Sequence, residues 1–281
     1  MIASQRSRGA PAIVDPRADL DFRALAARRG MDAGARFVGG YVDWEWRHAR
    51  HLFDGVAEPV RGRAVLELGC NVGATAIVLA TLGADVTAID PDADLVDVAR
   101  ANAARYGLGG RVHFAHVADT TRLPFADGAF AWVSCNSVLE YVPQAALAGV
   151  LREVDRVLAP GGIVAVIGTS NRLWPREQHS RRWLVNYAPR ALDGLWRGHP
   201  PRRGITAASV RRVLRGYDDR IAADGGALFV ELKARMGASG WKLGLMRAAA
   251  GLLASAGVSP GVVGPTITML LQKRGSIPVR G

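Results

Sequence analysis

The 281-residue chain is poor in cysteine and in lysine, with two cysteines, Cys70 and Cys135, and three lysines, Lys233, Lys242 and Lys273. Two cysteines without metal-ligand spacing exclude a disulfide-stapled scaffold and a legible zinc site, and they fit a reducing cytoplasm. The opening "MIASQRSRGAPAIVDPRADLDFRALAARRG" lacks an apolar core of signal-peptide length and is broken by charges and prolines. Residues 1–35 are therefore expected to be a flexible segment. Internal repeats and low-complexity tracts are also missing. Long hydrophobic runs are scarce: Ala248 to Gln272 carries no charge, but Gly251, Gly257, Pro260, Gly261, Gly264 and Pro265 would break a membrane helix. Its last part, "TITMLLQKR", reads as a β-strand, so no transmembrane span is expected.

What is abundant is arginine. It supplies nearly all of a net charge of +11, and twelve arginines lie between Arg172 and Arg220 against Glu177, Asp193, Asp218 and Asp219. That local excess would suit an anionic partner.

From residue 64 onward, short apolar runs alternate with helical patterns. The runs are "AVLEL" (64–68), "ADVTAID" (84–90), "VHFAHV" (112–117), "FAWVSC" (130–135) and "GIVAVIG" (162–168). Helices are expected at about 73–82, 93–106 and 144–158, an alternation that predicts a parallel sheet wrapped by helices. Upstream, "GGYVDWEWRHARHLFDGV" reads as an amphipathic helix-like segment. Downstream, the stretch from about 170 to 205 interrupts the alternation with Pro, Trp and Arg and reads as an inserted cap, before a helix beginning at Thr206.

The run "VLELGCNVG" (65–73) carries a strand into a turn whose free N–H groups let a ligand approach the main chain. A dinucleotide fingerprint would place glycines at 69, 71 and 74, but positions 71 and 74 are Asn and Ala. Asn71 tolerates positive φ while narrowing the space for a pyrophosphate, which disfavours NAD and FAD. Asp90, at the end of the next strand, can accept from a ribose diol. Asp119 follows the third strand, in position for an adenine amino group, and Glu67 lies in the first strand. Together they describe a pocket for an adenosine without phosphates, namely S-adenosyl-L-methionine (SAM).

Over residues 60–170 the chain resembles the class I SAM-dependent methyltransferases of the ubiquinone/menaquinone-biosynthesis type, the small-molecule branch. The motifs are "LELGCNVG", "VTAIDPD", "VADTTRLPFADGAF", "NSVLEYVP" and "REVDRVLAPGGIVAVIG", in that order. The resemblance implies an α/β, Rossmann-like, doubly wound and mostly parallel seven-stranded sheet with helices on both faces and a cap after the fifth strand. It implies one methyltransferase domain over 36–281, with its core at 60–170, the cap at about 170–205 and C-terminal helices and a last strand at 206–275. The cofactor residues it carries over are Glu67, Gly69, Cys70, Asn71, Gly73, Asp90, Pro91, Asp119, Thr120 and Asn136. Asn71 replaces the middle glycine, Ala131 a frequent Asp, and Tyr141 a frequent His.

For the acceptor side, Tyr41, Trp46, Tyr141, Trp174, Trp183 and Tyr187 are the candidate substrate contacts, with Trp196 a further cap aromatic. Trp174, Trp183, Trp196 and Tyr187 could equally form the core of the cap. His179 is the candidate general base, because an imidazole can take a proton from a hydroxyl acceptor. No metal is required by in-line methyl transfer. The expected partner is a small molecule, lipophilic or anionic. The basic cap with interleaved aromatics keeps RNA as the alternative, although no RNA-binding appendage is recognisable. A non-catalytic SAM-binding protein is the other alternative. "WKLGLMRAAAGLLASAGV" (241–258) leaves a peripheral membrane contact open beside packing against the sheet or a partner subunit. Neither the acceptor atom nor the oligomeric state has a signature in the sequence.

Overall fold

The computed structural model describes residues 9–55, 58–189, 192 and 202–275. The chain divides into two compact units, Met1–Ala118 and Asp119–Gly281.

The first unit begins with a helix inside the segment expected to be flexible. Helix α1 (Pro16–Arg28) has Pro16 at its first position, and the Asp15 carboxylate accepts from the N–H groups of Arg17 and Ala18. It is held by Arg105, at the end of α5 (Ala93–Arg105). The Arg105 side chain is 3% exposed and pairs with Asp19 at 3.0 Å. Its guanidinium lies over the rings of Phe22 and Tyr106, at 4.3 and 5.5 Å. A start signal, the buried stripe Ala18, Phe22 and Ala26, and a cationic anchor therefore order this helix. The single amphipathic segment expected next is two short helices, α2 (Tyr41–His48) and α3 (Arg50–Asp54), which bury Val42, Trp46, Leu52 and Phe53.

Strands β1 (Ala64–Leu68), β2 (Asp85–Asp90) and β3 (Val112–His116) run parallel, with Glu67 opposite Ala88 and Ala88 opposite Phe114. All three match the expected strands to within a residue. Helix α4 (Ala74–Leu82), which crosses from β1 to β2, is apolar all round and buried at every position but Thr81. That is why it shows no amphipathic period.

In the second unit, β4 (Phe130–Asn136) pairs parallel with β5 (Leu158–Ser170), joined by α6 (Leu147–Val157). The buried face of α6 is Leu147, Val150, Leu151, Val154 and Val157, a helical spacing. Strand β5 starts directly at the end of α6, earlier than "GIVAVIG" suggested. Strand β7 (Thr266–Lys273) runs antiparallel to β5 and to the short β6 (Tyr217–Asp219). Helices α7 (Ala207–Val213), α8 (Ala227–Arg235) and α9 (Gly240–Ser255) complete the unit. The first unit thus holds its strands in the order β3-β2-β1 and the second in the order β4-β5-β7-β6, seven strands that are mostly parallel, the expected fold class.

The segment after β5 carries two isolated bridges, Asn171 with Ile205 and Arg176 with Trp183. Trp196 lies outside the described residues.

Replacing Arg105 by Ala removes a buried cation and the tie between α1 and α5. Chemical denaturation should show a loss of about 3 kcal/mol, and proteolysis within 16–28 should accelerate.

Candidate functional site

The chain leaves β1 through a turn of left-handed residues: Gly69 (φ 72°), Asn71 (φ 49°) and Gly73 (φ 76°). Asn71 thus adopts the conformation for which it was singled out. Gly73 must also be small, since a Cβ there would sit 3.0 Å from the Ala99 Cβ and 3.2 Å from the Phe114 ring. The turn is pinned by hydrogen bonds. Gly69 N–H and Cys70 N–H donate to the Ile89 carbonyl at 2.8 and 2.9 Å. Asn102 Nδ2 donates to the Val72 carbonyl at 2.6 Å.

Asp90 holds the same turn. Its Oδ2 accepts from Asn71 N–H at 2.9 Å and its Oδ1 from Asp92 N–H at 3.0 Å. The carboxyl is buried, which raises its pKa, while the two N–H donors pull it back down. Asp90 is not a helix cap: Asp92 caps α5, accepting from Asp94 N–H and Leu95 N–H. Next to Asp90, the Pro91 carbonyl lies 3.1 Å from His116 Nε2.

Glu67 carries the strongest electrostatic tension in this unit. It is 2% exposed, its Oε2 has no hydrogen-bond partner, and Thr75 and the Ala76 N–H support the carboxyl. Burial, with the nearby Glu45 and Asp90 carboxyls adding like charge, drives its pKa well above the ordinary value. An orphaned carboxylate oxygen beside an open backbone turn is what a cationic ligand would relieve. Cys70, 3% exposed, has its thiol pKa raised by burial and by Glu67 and Asp90; it is a packed side chain rather than a reactive thiolate.

In the second unit, Asp119 is exposed. Its Oδ1 accepts from the Thr121 N–H at 2.9 Å and hydroxyl at 2.6 Å, and these bonds lower its pKa. Thr120 beside it is half-buried. Asn136 closes β4, where Ser137 (φ 50°) turns against Gly168. A Cβ on Gly168 would meet Ser137 Oγ at 2.6 Å.

His179 does not stand alone. Its Nε2 lies 3.2 Å from Ser170 Oγ and 3.7 Å from Glu140 Oε1. Ser170 in turn donates to Glu140 Oε1 through its N–H at 3.3 Å and its hydroxyl at 3.5 Å. Glu140 is 7% exposed, and its Oε2 is another buried oxygen without a hydrogen-bond partner. Glu177, 1% exposed, accepts from the N–H groups of His179 and Ser180 and so fixes the backbone under the imidazole. A hydrogen-bond chain from Nε2–H through Ser170 to Glu140 selects the Nε2–H tautomer and leaves Nδ1 as the basic nitrogen. Sequence reasoning missed Glu140 and Ser170, which precede His179 by different strand ends and share no local motif with it.

The candidate acceptor aromatics separate into groups. In the first unit, Trp46 is buried under the Arg50 guanidinium, and Tyr41 packs edge-on to Phe37 at 5.6 Å. In the second, Tyr141 stands edge-on to His179 at 5.5 Å, with the Arg202 guanidinium over its ring at 4.9 Å. Trp183 and Tyr187 are 69% and 55% exposed, and Trp174 is 37% exposed. The Tyr187 hydroxyl donates to the Leu173 carbonyl at 2.6 Å.

Two arginines of the segment after β5 bond to backbone carbonyls, one buried and one exposed. Arg203, 1% exposed, donates to the carbonyls of Ala188 and Pro189; Arg176 donates to the Arg181 carbonyl. An open recess of about 360 Å³ is lined by Gln144, Arg172, Ile205, Thr206, Ser209 and Arg212. Among the described residues, no group of three or more His, Cys, Asp or Glu side chains could hold a metal ion.

A mostly parallel sheet with an antiparallel seventh strand, a left-handed glycine turn after β1 and an acidic residue bracing it from the end of β2 define the class I SAM-dependent methyltransferase fold. The comparisons agree. The methyltransferase domain family matches residues 65–162. A ubiquinone biosynthesis O-methyltransferase of Psychrobacter arcticus is 33% identical over 47% of this chain and 48% of its own length. A ribosomal protein L11 methyltransferase of Sorangium cellulosum is 36% identical over 42% of this chain and 34% of its own length. The chain thus spans about half or less of these two curated relatives. The crystal structure of a putative sarcosine dimethylglycine methyltransferase from Galdieria sulphuraria covers 92% of this chain with a TM-score of 0.51 at 15% identity, a likeness of fold. Residues 65–162 thus carry the likeness to the methyltransferase domain family, and within that region the chain is similar to a ubiquinone biosynthesis O-methyltransferase.

A carboxyl whose folded pKa is raised binds its proton more tightly folded than unfolded. The destabilisation from Glu67 is therefore absent below its ordinary pKa of 4.5 and grows as pH rises towards the raised value. Glu67→Gln should melt at a higher temperature than the parent protein at neutral pH, without added cofactor, and the two melting curves should converge in acid. Scanning calorimetry against pH checks this.

Proposed function

We propose that the protein transfers a methyl group from SAM to a small-molecule acceptor whose reacting hydroxyl is deprotonated by His179. The observation that carries the cofactor half is the braced turn beside a buried carboxylate oxygen without a partner. Glu67 would receive the cofactor's ammonium, Asp90 and Pro91 its ribose edge, and Gly69, Cys70, Asn71 and Gly73 would admit it to the backbone. Asp119, Thr120 and Asn136 are the adenine-side contacts that family resemblance assigns. When bound, SAM supplies an electrophilic methyl on a good neutral leaving group. What remains for the chain is to orient the acceptor, exclude water and manage one proton.

His179 suits the last task because Ser170 and Glu140 hold its Nε2–H and direct the Nδ1 lone pair outward. Glu140 stabilises the imidazolium formed when Nδ1 takes the proton. Tyr141 beside His179 and the exposed Trp174, Trp183 and Tyr187 are proposed acceptor contacts, with Tyr41 and Trp46 as candidates in the first unit. An acceptor both apolar and anionic would match these aromatics and the recess containing Arg172 and Arg212. RNA is the weaker reading, because the buried Arg203 is bonded to backbone carbonyls and is not available to phosphates. The same reading places the enzyme in the cytoplasm.

Asp90→Ala should weaken SAM binding about tenfold or more by calorimetry, since it removes both the ribose acceptor and the brace on Asn71. For the acceptor class, purified protein and methyl-labelled SAM are incubated with an extract of the host cell, then separated into organic-soluble, small aqueous, RNA and protein fractions. Label in the organic or small aqueous fraction supports the proposal; label confined to RNA or protein overturns it. With the acceptor recovered that way, His179→Ala should lower kcat by about two to four orders of magnitude with SAM affinity unchanged.

A further inference from the structure

Helix α9 presents an apolar face that its own unit does not cover. Trp241, Leu245 and Leu252 are 68%, 63% and 73% exposed, and with Ala248 they fall at the 4-, 3- and 4-residue steps of one helical stripe. Only Ala250, on the opposite side, is buried. The exposed Lys242 and Arg247 flank the stripe, one on each side, with the Lys242 ammonium 5.6 Å from the centre of the Trp241 ring.

The charge on α9 itself has one sign: it carries Lys242 and Arg247 and no Asp or Glu, while the elements packed on it carry Asp224 in the turn Ala223–Gly226 and Glu231 in α8, the latter paired with Arg235. A second copy of this chain docking through the stripe would bring Lys242 and Arg247 against their own duplicates with no carboxylate within α9 to meet them. A surface of fixed negative charge with an apolar layer beneath it satisfies both features at once. An aromatic residue at the boundary and long cationic side chains reaching up to headgroups are the usual fittings of a helix lying in that layer. The helix is too short to cross: its 16 residues span about 24 Å against a hydrocarbon core of roughly 30 Å. Among the described residues no helix is long and apolar enough to span a membrane.

We propose that the Trp241–Leu245–Ala248–Leu252 face of α9 docks in the plane of an anionic phospholipid bilayer, with Lys242 and Arg247 on the headgroups. Such docking would hold the enzyme where a lipophilic acceptor is dissolved, although the surface itself is argued independently of the acceptor.

The test is co-sedimentation of the full chain with sucrose-loaded vesicles of phosphatidylcholine alone or containing about 30 mol% phosphatidylglycerol. The protein should pellet with the anionic vesicles, release as salt is raised, and remain in solution with phosphatidylcholine. The triple variant W241S/L245S/L252S should lose about tenfold or more of this partition. Because all three side chains are already in solvent, its melting temperature should match the parent's. K242E/R247E should also lose binding, and an increase in Trp241 fluorescence with a blue shift should accompany binding only in chains that retain the stripe. Equal pelleting with both vesicle types, no pelleting with either, or unchanged binding by both variants would overturn the proposal; the last would move the lipid contact to the arginine-rich cap. Dimerisation abolished by the triple variant, without vesicle binding by the parent, would overturn it in favour of a second copy.

Discussion

The left-handed turn between β1 and α4 is the constraint on which the cofactor side of this protein rests. It needs residues that accept positive φ at 69, 71 and 73, a glycine at 73 because Ala99 and Phe114 leave no room for a side chain, and a partner for the Asn71 N–H. Asp90 supplies that partner from the end of the neighbouring strand, and its other oxygen takes the Asp92 N–H. One buried carboxyl thereby sets two consecutive β-to-α connections, with Asp92 left free to cap α5. A turn held this way keeps its remaining N–H groups oriented for a ligand without waiting for the ligand to order them.

Holding the turn so close to buried acids has an energetic consequence. Glu45, Glu67 and Asp90 concentrate negative charge in a region of low dielectric, which raises the Glu67 pKa. A cationic ligand placed against Glu67 would favour its charged form and so couple ligand binding to proton release through one residue.

In the second unit the equivalent tension sits at Glu140, buried with one oxygen unpartnered and linked through Ser170 to His179. An isolated histidine in an irregular segment would sample many orientations. Here the imidazole is held from its ring by Ser170 and Glu140 and from its backbone by Glu177. The arginines of the same segment divide between internal ties, such as the buried Arg203, and the guanidinium at the open recess formed in part by Arg212. High arginine content alone would suggest a polyanion surface; the burial of Arg203 and its carbonyl partners show that part of it serves the chain's own backbone.

The sequence by itself determined six of the strands, β1 to β5 and β7, the helices that cross between them, the glycine turn and the identity of the residues around it, but not the short β6. Each of these follows from patterns within a dozen residues: alternating apolar runs, a helical period in α6, an asparagine able to take positive φ. The family resemblance added what single residues do not show, the order of motifs that names the cofactor. Only the tertiary structure decided that Pro16–Arg28 is a helix, because its anchor, Arg105, lies on a helix far along the chain. It also decided that Trp174, Trp183 and Tyr187 face solvent and that Glu140, Ser170 and His179 form one hydrogen-bonded chain. Those contacts join positions separated by 9 to 30 or more residues, and no local period encodes which distant side chain will complete a buried charge.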